Sequence, residues 1–194
     1  MIDSIRITLA GLLLAAVAWT SAAAAAPIER VVLQTNRGAI EIELFADRAP
    51  VTVANFLKYV DAGFYDGLIF HRVIPGFMIQ GGGFDPNLKQ RTPNAPIVNE
   101  SKNGLHNIVG AVAMARTSAP DSATSQFYIN VADNPDLDFA SNHPGYCVFG
   151  KIVGGMEVVE AIASVRTTFK GGMQDVPIEA VIIESAKRVP PAAP

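Results

Sequence analysis

From Val31 to Leu44 the side chains follow a two-residue rhythm. Val31-Val32-Leu33 precedes an Asn36-Arg37-Gly38 turn, and Ala39-Ile40-Glu41-Ile42-Glu43-Leu44 then alternates apolar and polar positions. A strand with one buried face repeats every second residue, so the segment predicts a β-hairpin. The period then lengthens. Asp47 to Gly63 reads as a helix, with Pro50 near its start, Val53, Phe56, Leu57 and Val60 at helical spacing, and Gly63 as its stop. Met156 to Val165 predicts a second helix, with Met156, Val159, Ile162 and Ala163 on one face. The remaining apolar runs are short and bounded by turn formers: Leu68–Ile74, Phe77–Gln80, Ile108–Ala115, Gln126–Val131, Cys147–Val153 and Ala180–Ser185. Several short strands with only two helices predict a closed sheet or a sandwich, and closure removes exposed strand edges. Phe84–Asn107, rich in Pro, Asn and Gly, predicts a long surface loop, and the three prolines of Val189–Pro194 predict a loose tail.

The first 26 residues follow a different logic. A cation at Arg6 precedes a Leu- and Ala-rich run from Ile7 to Trp19, then Thr20-Ser21 and five alanines before Pro27. This resembles a secretory signal peptide, with small side chains at Ala22–Ala26 that fit a peptidase cleft. An uncleaved anchor is the alternative, since Ile7–Pro27 is long enough to span a bilayer, but alanine anchors poorly. Cleavage leaves one domain, 27–188, followed by the tail, with no tryptophan and no stable membrane insertion. A periplasmic location follows if the host is Gram-negative.

Composition narrows the partners. With 49% apolar and 17% charged residues the chain can build a core, and a net charge of −3 without a basic run argues against nucleic acid. Cys147 is the only cysteine, so an intrachain disulfide and a four-cysteine zinc site are both excluded. It sits in an apolar strand and is expected to be a buried, inert thiol. His106 and His143 lack a second ligand at useful spacing, so no metal is expected.

The chemistry concentrates in Phe70-His71-Arg72-Val73-Ile74-Pro75-Gly76-Phe77-Met78-Ile79-Gln80-Gly81-Gly82. Two short strands flank a Pro-Gly turn, and residues two apart share a sheet face. Arg72 and Ile74 then lie on one side of the first strand, and Met78 and Gln80 on one side of the second. An apolar surface carries a guanidinium and an amide beside it. Taken alone, the segment fits equally an ordinary hairpin with Arg72 in a surface salt bridge. His71 is expected to be a packed, hydrogen-bonded core histidine facing away from Arg72.

A second segment, Met114-Ala115-Arg116 followed by Ser125-Gln126-Phe127-Tyr128-Ile129-Asn130, changes the balance. Together with Val98-Asn99-Glu100-Ser101 and Val148-Phe149-Gly150-Lys151, the chain resembles the cyclophilin family of peptidyl-prolyl isomerases, above all its secreted bacterial members. The matching order runs from Val31 to near Arg188. The resemblance implies a mainly β fold, a closed eight-stranded antiparallel β-barrel capped by two α-helices. It places the family's catalytic arginine on Arg72 and its glutamine on Gln80. Substrate contacts fall on Phe77, Met78, Tyr128 and Leu137 for the proline ring, on Ala115, Arg116 and Gln126 beside it, and on Tyr146 where the family often has histidine. The implied activity is X-Pro isomerisation assisting the folding of exported proteins, with proline-containing polypeptides as partners, no cofactor and no metal. A monomer suffices. A proline-peptide-binding chaperone or adaptor with incidental turnover is the alternative. Asp136 stands where many members carry an aromatic, often tryptophan, that donates to cyclosporin, so weak cyclosporin binding is expected, with Phe139 the nearest aromatic to fill the gap. Tyr128 replaces a common phenylalanine, and its added hydroxyl needs a partner if buried.

Overall fold

The computed structural model describes residues 29–190. The proposed signal peptide lies outside the described residues, as do the last four positions of the tail.

The alternating segment forms β1 (Arg30–Thr35) and β2 (Gly38–Leu44), paired residue for residue from Arg30–Glu43 to Thr35–Gly38. Helix α1 (Pro50–Asp61) follows, then β3 (Ile69–Ile74), β4 (Met78–Phe84), β5 (Ala111–Met114), β6 (Phe127–Asn130) and β7 (Val148–Gly154). Helix α2 (Met156–Ala163), a hairpin of β8 (Thr167–Lys170) and β9 (Met173–Pro177), and β10 (Ile183–Val189) complete the order. Eight strands make one antiparallel sheet in the order β10-β1-β2-β7-β5-β6-β4-β3. Its two end strands meet over a short seam: a bridge at Ile69–Ile182, the Phe70 amide donating to Val181 (2.9 Å) and the Ile183 amide to Leu68 (2.8 Å). The expected barrel is therefore there, closed by a seam and not by a full ladder.

Each of the eight apolar segments expected to be strands contributes to this sheet. The β8–β9 hairpin was not anticipated. Its first strand, Thr-Thr-Phe-Lys, is barely buried and does not alternate, and only Val176 and Pro177 at the end of the second strand are buried. Val189 pairs with Arg30, so the last strand runs into what reads as tail.

Burial on the two sides of the sheet explains the site. The inner side, with both helices, forms the main core, in which Phe56 of α1 packs its ring 5.1 to 5.6 Å from Tyr65, Phe127 and Phe149. Val159 and Ile162 of α2 join the same core. Strands β4, β5 and β6 are also covered on the outer side, where Met78, Ala111, Ala113, Tyr128 and Val148 form a second, smaller apolar cluster. Gly155 before α2 is obligatory, because its φ is +81° and a Cβ there would lie 2.1 Å from the Ala39 carbonyl oxygen.

The long connection from Asp85 to Gly110 lies on the surface, as expected, and also works as a brace. Glu100 reaches the start of α1, accepting bonds from the amides of Val51 (3.1 Å) and Thr52 (2.8 Å) and from the Thr52 hydroxyl (2.7 Å). These amides are among the first-turn donors that no helix can satisfy internally, and a carboxylate there also complements the helix dipole. Glu100→Ala is expected to lower the unfolding free energy by about 1–2 kcal/mol, read from urea melts, with the slope against urea unchanged.

Candidate functional site

Strand register assembles the site. Arg72 of β3 stands opposite Gln80 of β4, Gln80 opposite Tyr128 of β6, Tyr128 opposite Ala113 of β5, and Ala113 opposite Val148 of β7. Residues directly opposed in adjacent strands share a face, so these five form one row across the outer surface of the barrel.

The row begins at Arg72 because of an irregularity. Phe70 pairs with Gly81 while Arg72 pairs with Gln80, so two residues on β3 are spent against one on β4. This is a β-bulge with His71 as the extra residue, and bulges re-aim the side chains that follow them. Phe70 and Val73, three apart, both enter the core, and Arg72 turns outward.

Around the row lies a cleft of about 450 Å³ lined by Arg72, Phe77, Met78, Gln80, Ala115, Arg116, Tyr128, Leu137 and Tyr146. Nine of the ten residues expected at the site thus meet in one concavity. The tenth, Gln126, is half-buried next to the lining, its Oε1 accepting from Gln80 Nε2 at 2.9 Å. Gln126 can occupy that place because Gly83 has no side chain: a Cβ there would sit 2.6 to 2.8 Å from the Gln126 side chain. Arg72 is partly exposed, with Asp175 of β9 3.8 Å from its Nε. The salt bridge considered for Arg72 and its place in the cleft therefore coexist.

A scan against family models matches residues 30–188 to the description "Cyclophilin type peptidyl-prolyl cis-trans isomerase/CLD". The chain belongs to the cyclophilin-type peptidyl-prolyl cis-trans isomerase family. It is 56% identical over 158 residues to peptidyl-prolyl cis-trans isomerase B of Escherichia coli, covering 80% of this chain and 96% of that one. It is 54% identical over 170 residues to peptidyl-prolyl cis-trans isomerase A of Dickeya dadantii, covering 88% and 90%. Among solved structures, a cyclophilin-type isomerase of Cryptosporidium parvum superposes with a TM-score of 0.74 at 27% identity, covering 86% of this chain and 99% of that one. The same parasite protein solved in the presence of the dipeptide Ala-Pro gives a TM-score of 0.71 at 29% identity, covering 81% and 97%. The family is one of isomerases, and the barrel described above is its fold.

A polar network supports the cleft of this cyclophilin from below. Tyr128 is 4% exposed, and its hydroxyl donates to Asn107 Oδ1 at 2.7 Å, which supplies the partner that a buried hydroxyl requires. Burial first, then the neighbouring Tyr146 and Asp138, push this phenol far above its usual range, so it remains a donor at any working pH. Asn107 is held in turn by Asp138, whose Oδ1 accepts from the Asn107 amide (2.7 Å) and side chain (2.9 Å) while Oδ2 meets His106 Nδ1 at 2.7 Å. Burial opposes the Asp138 charge, but the bonds from Asn107 and His106 outweigh it and hold the carboxyl below its ordinary value. Sequence reasoning missed Asn107 and Asp138 as supports. The one signal for them was the extra hydroxyl of Tyr128. Asp136 is exposed, and Phe139 does not fill the gap beside it; its ring packs under Lys102 instead, 5.7 Å from Nζ.

His71 departs from expectation in one respect. It is buried at 4% exposure, 4.6 Å from the Phe84 ring, but its Nδ1 has no hydrogen-bond partner among the described residues. The ring is buried against Phe84 at the bulge. Burial, then the adjacent Arg72 charge, push its pKa from 6.5 down to about 4. Cys147 is likewise raised by burial to about 11, as expected for an inert buried thiol. Because the folded state resists protonating His71 while the unfolded chain accepts the proton below pH 6.5, stability falls as pH drops from 6.5 towards 4. The loss from this residue is about 3 kcal/mol, and a His71→Leu variant should show a correspondingly shallower decline in urea melts across that window.

Proposed function

We propose that this chain catalyses X-Pro isomerisation in exported polypeptides, with Arg72 as the principal catalytic group. The observation that carries the proposal is the row Arg72–Gln80–Tyr128 beside an apolar cleft. Isomerisation must break amide resonance across a barrier of ~18–20 kcal/mol, and no bond is made or hydrolysed. The catalyst needs contacts that strengthen as the amide twists. In the twisted state the prolyl nitrogen regains a lone pair, to which the guanidinium of Arg72 donates, and that group cannot lose its proton.

Phe77, Met78, Tyr128 and Leu137 grip the proline ring while the carbonyl side turns. The Nε2 of Gln80 is committed to Gln126, which leaves its carbonyl oxygen to accept from a substrate amide or from Arg72. The donor and the apolar grip lie on one chain, and a monomer suffices for the proposed chemistry. The five alanines before Pro27 support signal cleavage and, in a Gram-negative host, a periplasmic location, where slow X-Pro bonds limit folding.

Relaxation of a short X-Pro peptide tests the reading. Arg72→Ala should lower kcat/KM by about 10²–10³, the scale set by removing one fixed donor from a preorganised site. Arg72→Lys should recover little, because a point charge does not reproduce the guanidinium fork. Unchanged rates in both variants would refute the role, and peptide binding without acceleration by the wild type would favour the adaptor. With Asp136 in place of an indole donor, cyclosporin should inhibit weakly; a nanomolar inhibition constant contradicts that expectation.

A further inference from the structure

Arg116 is unlike the other cation in the cleft. It follows β5, and its guanidinium lies over the Tyr146 ring, 4.4 Å from the centroid. Its Nε donates to the Gly145 carbonyl (3.0 Å) and its Nη1 to the Thr117 carbonyl (2.9 Å). Stacking and two main-chain bonds therefore fix its orientation before any ligand arrives. Its Nη2 makes no hydrogen bond among the described residues, and no described carboxylate lies within ion-pair distance. Arg30, Arg37, Arg72 and Arg188 each have one.

A chain with net charge −3 thus holds a fixed, uncompensated guanidinium on the wall of its substrate cleft. Two neutral carbonyls satisfy part of the hydrogen-bonding fork and none of the charge. A guanidinium already immobilised loses little conformational freedom on binding, so a carboxylate reaching it gains most of the charge-assisted bond.

We infer that Arg116 selects substrates in which an acidic residue, Asp or Glu, lies next to the isomerised proline. The inference rests on the proposed function for its substrate and adds a charge preference to it. Arg116 acts on binding and leaves the twisting of the amide to Arg72, so the preference appears in KM and not in kcat. It weakens as salt screens the pair, most visibly between low ionic strength and ~0.15 M.

The test uses one X-Pro peptide in six forms, with Glu, Gln or Lys before or after the proline, and reads both isomerisation kinetics and binding by chemical-shift titration. In the wild type, Glu should exceed Gln in kcat/KM on at least one side of the proline by about three- to tenfold, through KM, and Lys should fall below Gln. Arg116→Gln should bring the Glu-to-Gln ratio close to one, and Arg116→Glu should invert the preference towards Lys. A structural role for Arg116 would change all peptides together and leave the ratio intact. Equal binding of Glu and Gln peptides by the wild type at low salt overturns the inference without needing any variant to fold, as does a preference that survives in Arg116→Gln. Wild type that binds Glu peptides selectively but accelerates none would uphold the charge selection and refute the catalytic reading, so the two fail separately.

Discussion

The site depends on a single extra residue in β3. Without the bulge at His71, strict alternation would put Phe70 and Arg72 on the same side of the sheet, and one of them would be misplaced: a guanidinium in an aromatic core or a phenyl ring in water. Two residues opposed to one partner resolve the conflict, sending Phe70 inward and Arg72 outward to the position opposite Gln80. The solution has a cost that the protein visibly carries, a buried imidazole with an unpartnered nitrogen. A neutral His71 is tolerable there. A protonated one would place a second charge, desolvated, next to Arg72, which is why the same feature that aims the guanidinium also makes the fold sensitive to acid.

The other half of the design is a barrel with two apolar sides. Every residue of β5 and β6 is buried, although the strands alternate, because the inward set fills the core and the outward set forms the floor of the cleft. Ala111 and Ala113 pack with Met78 and Tyr128 in the outer cluster, and Met78 and Tyr128 present its surface to the cleft. The Tyr128 ring closes this floor, and the chain Tyr128–Asn107–Asp138 fixes it from behind, so a polar network under an apolar surface holds the surface's shape.

Much of this was legible in the sequence, for physical reasons. Period-two alternation located the first hairpin, helical spacing the two helices, and short apolar runs between turn formers the other six strands, while the cleft residues followed from the family resemblance carried by Phe70–Gly82 and Met114–Asn130 together. The parts that stayed hidden have no period to read. The β8–β9 hairpin is polar and mostly exposed, and its Asp175 approaches Arg72 only through tertiary packing. The bulge is a property of pairing between strands, which one strand's pattern does not encode. The bond from Gln80 to Gln126 was hidden as well, because sequence assigns a residue to a face but not the direction its amide takes past Gly83.

The cleft also divides by mechanical origin. Arg72, Met78, Gln80 and Tyr128 stand on paired strands; β4 and β6 have ladder bonds on both sides, and Arg72 of the end strand β3 is tied to β4 opposite Gln80. Leu137 and Tyr146 come from the irregular segment 135–146, which is fixed indirectly: the Tyr146 amide donates to the Leu137 carbonyl at 2.9 Å, and Asn99 Nδ2 donates to the carbonyls of Pro144 and Gly145 at 3.1 and 3.2 Å. Donors that must meet a developing lone pair tolerate little displacement, whereas an apolar grip on a ring is non-directional and tolerates more. The electrostatic pair Arg72 and Gln80 stands on the sheet, and the apolar grip is shared between strand (Met78, Tyr128), turn (Phe77) and loop (Leu137). Arg116 bridges the two halves, since it begins where β5 ends and lies against Tyr146 and Gly145, so strand and loop are already joined at the wall of the cleft.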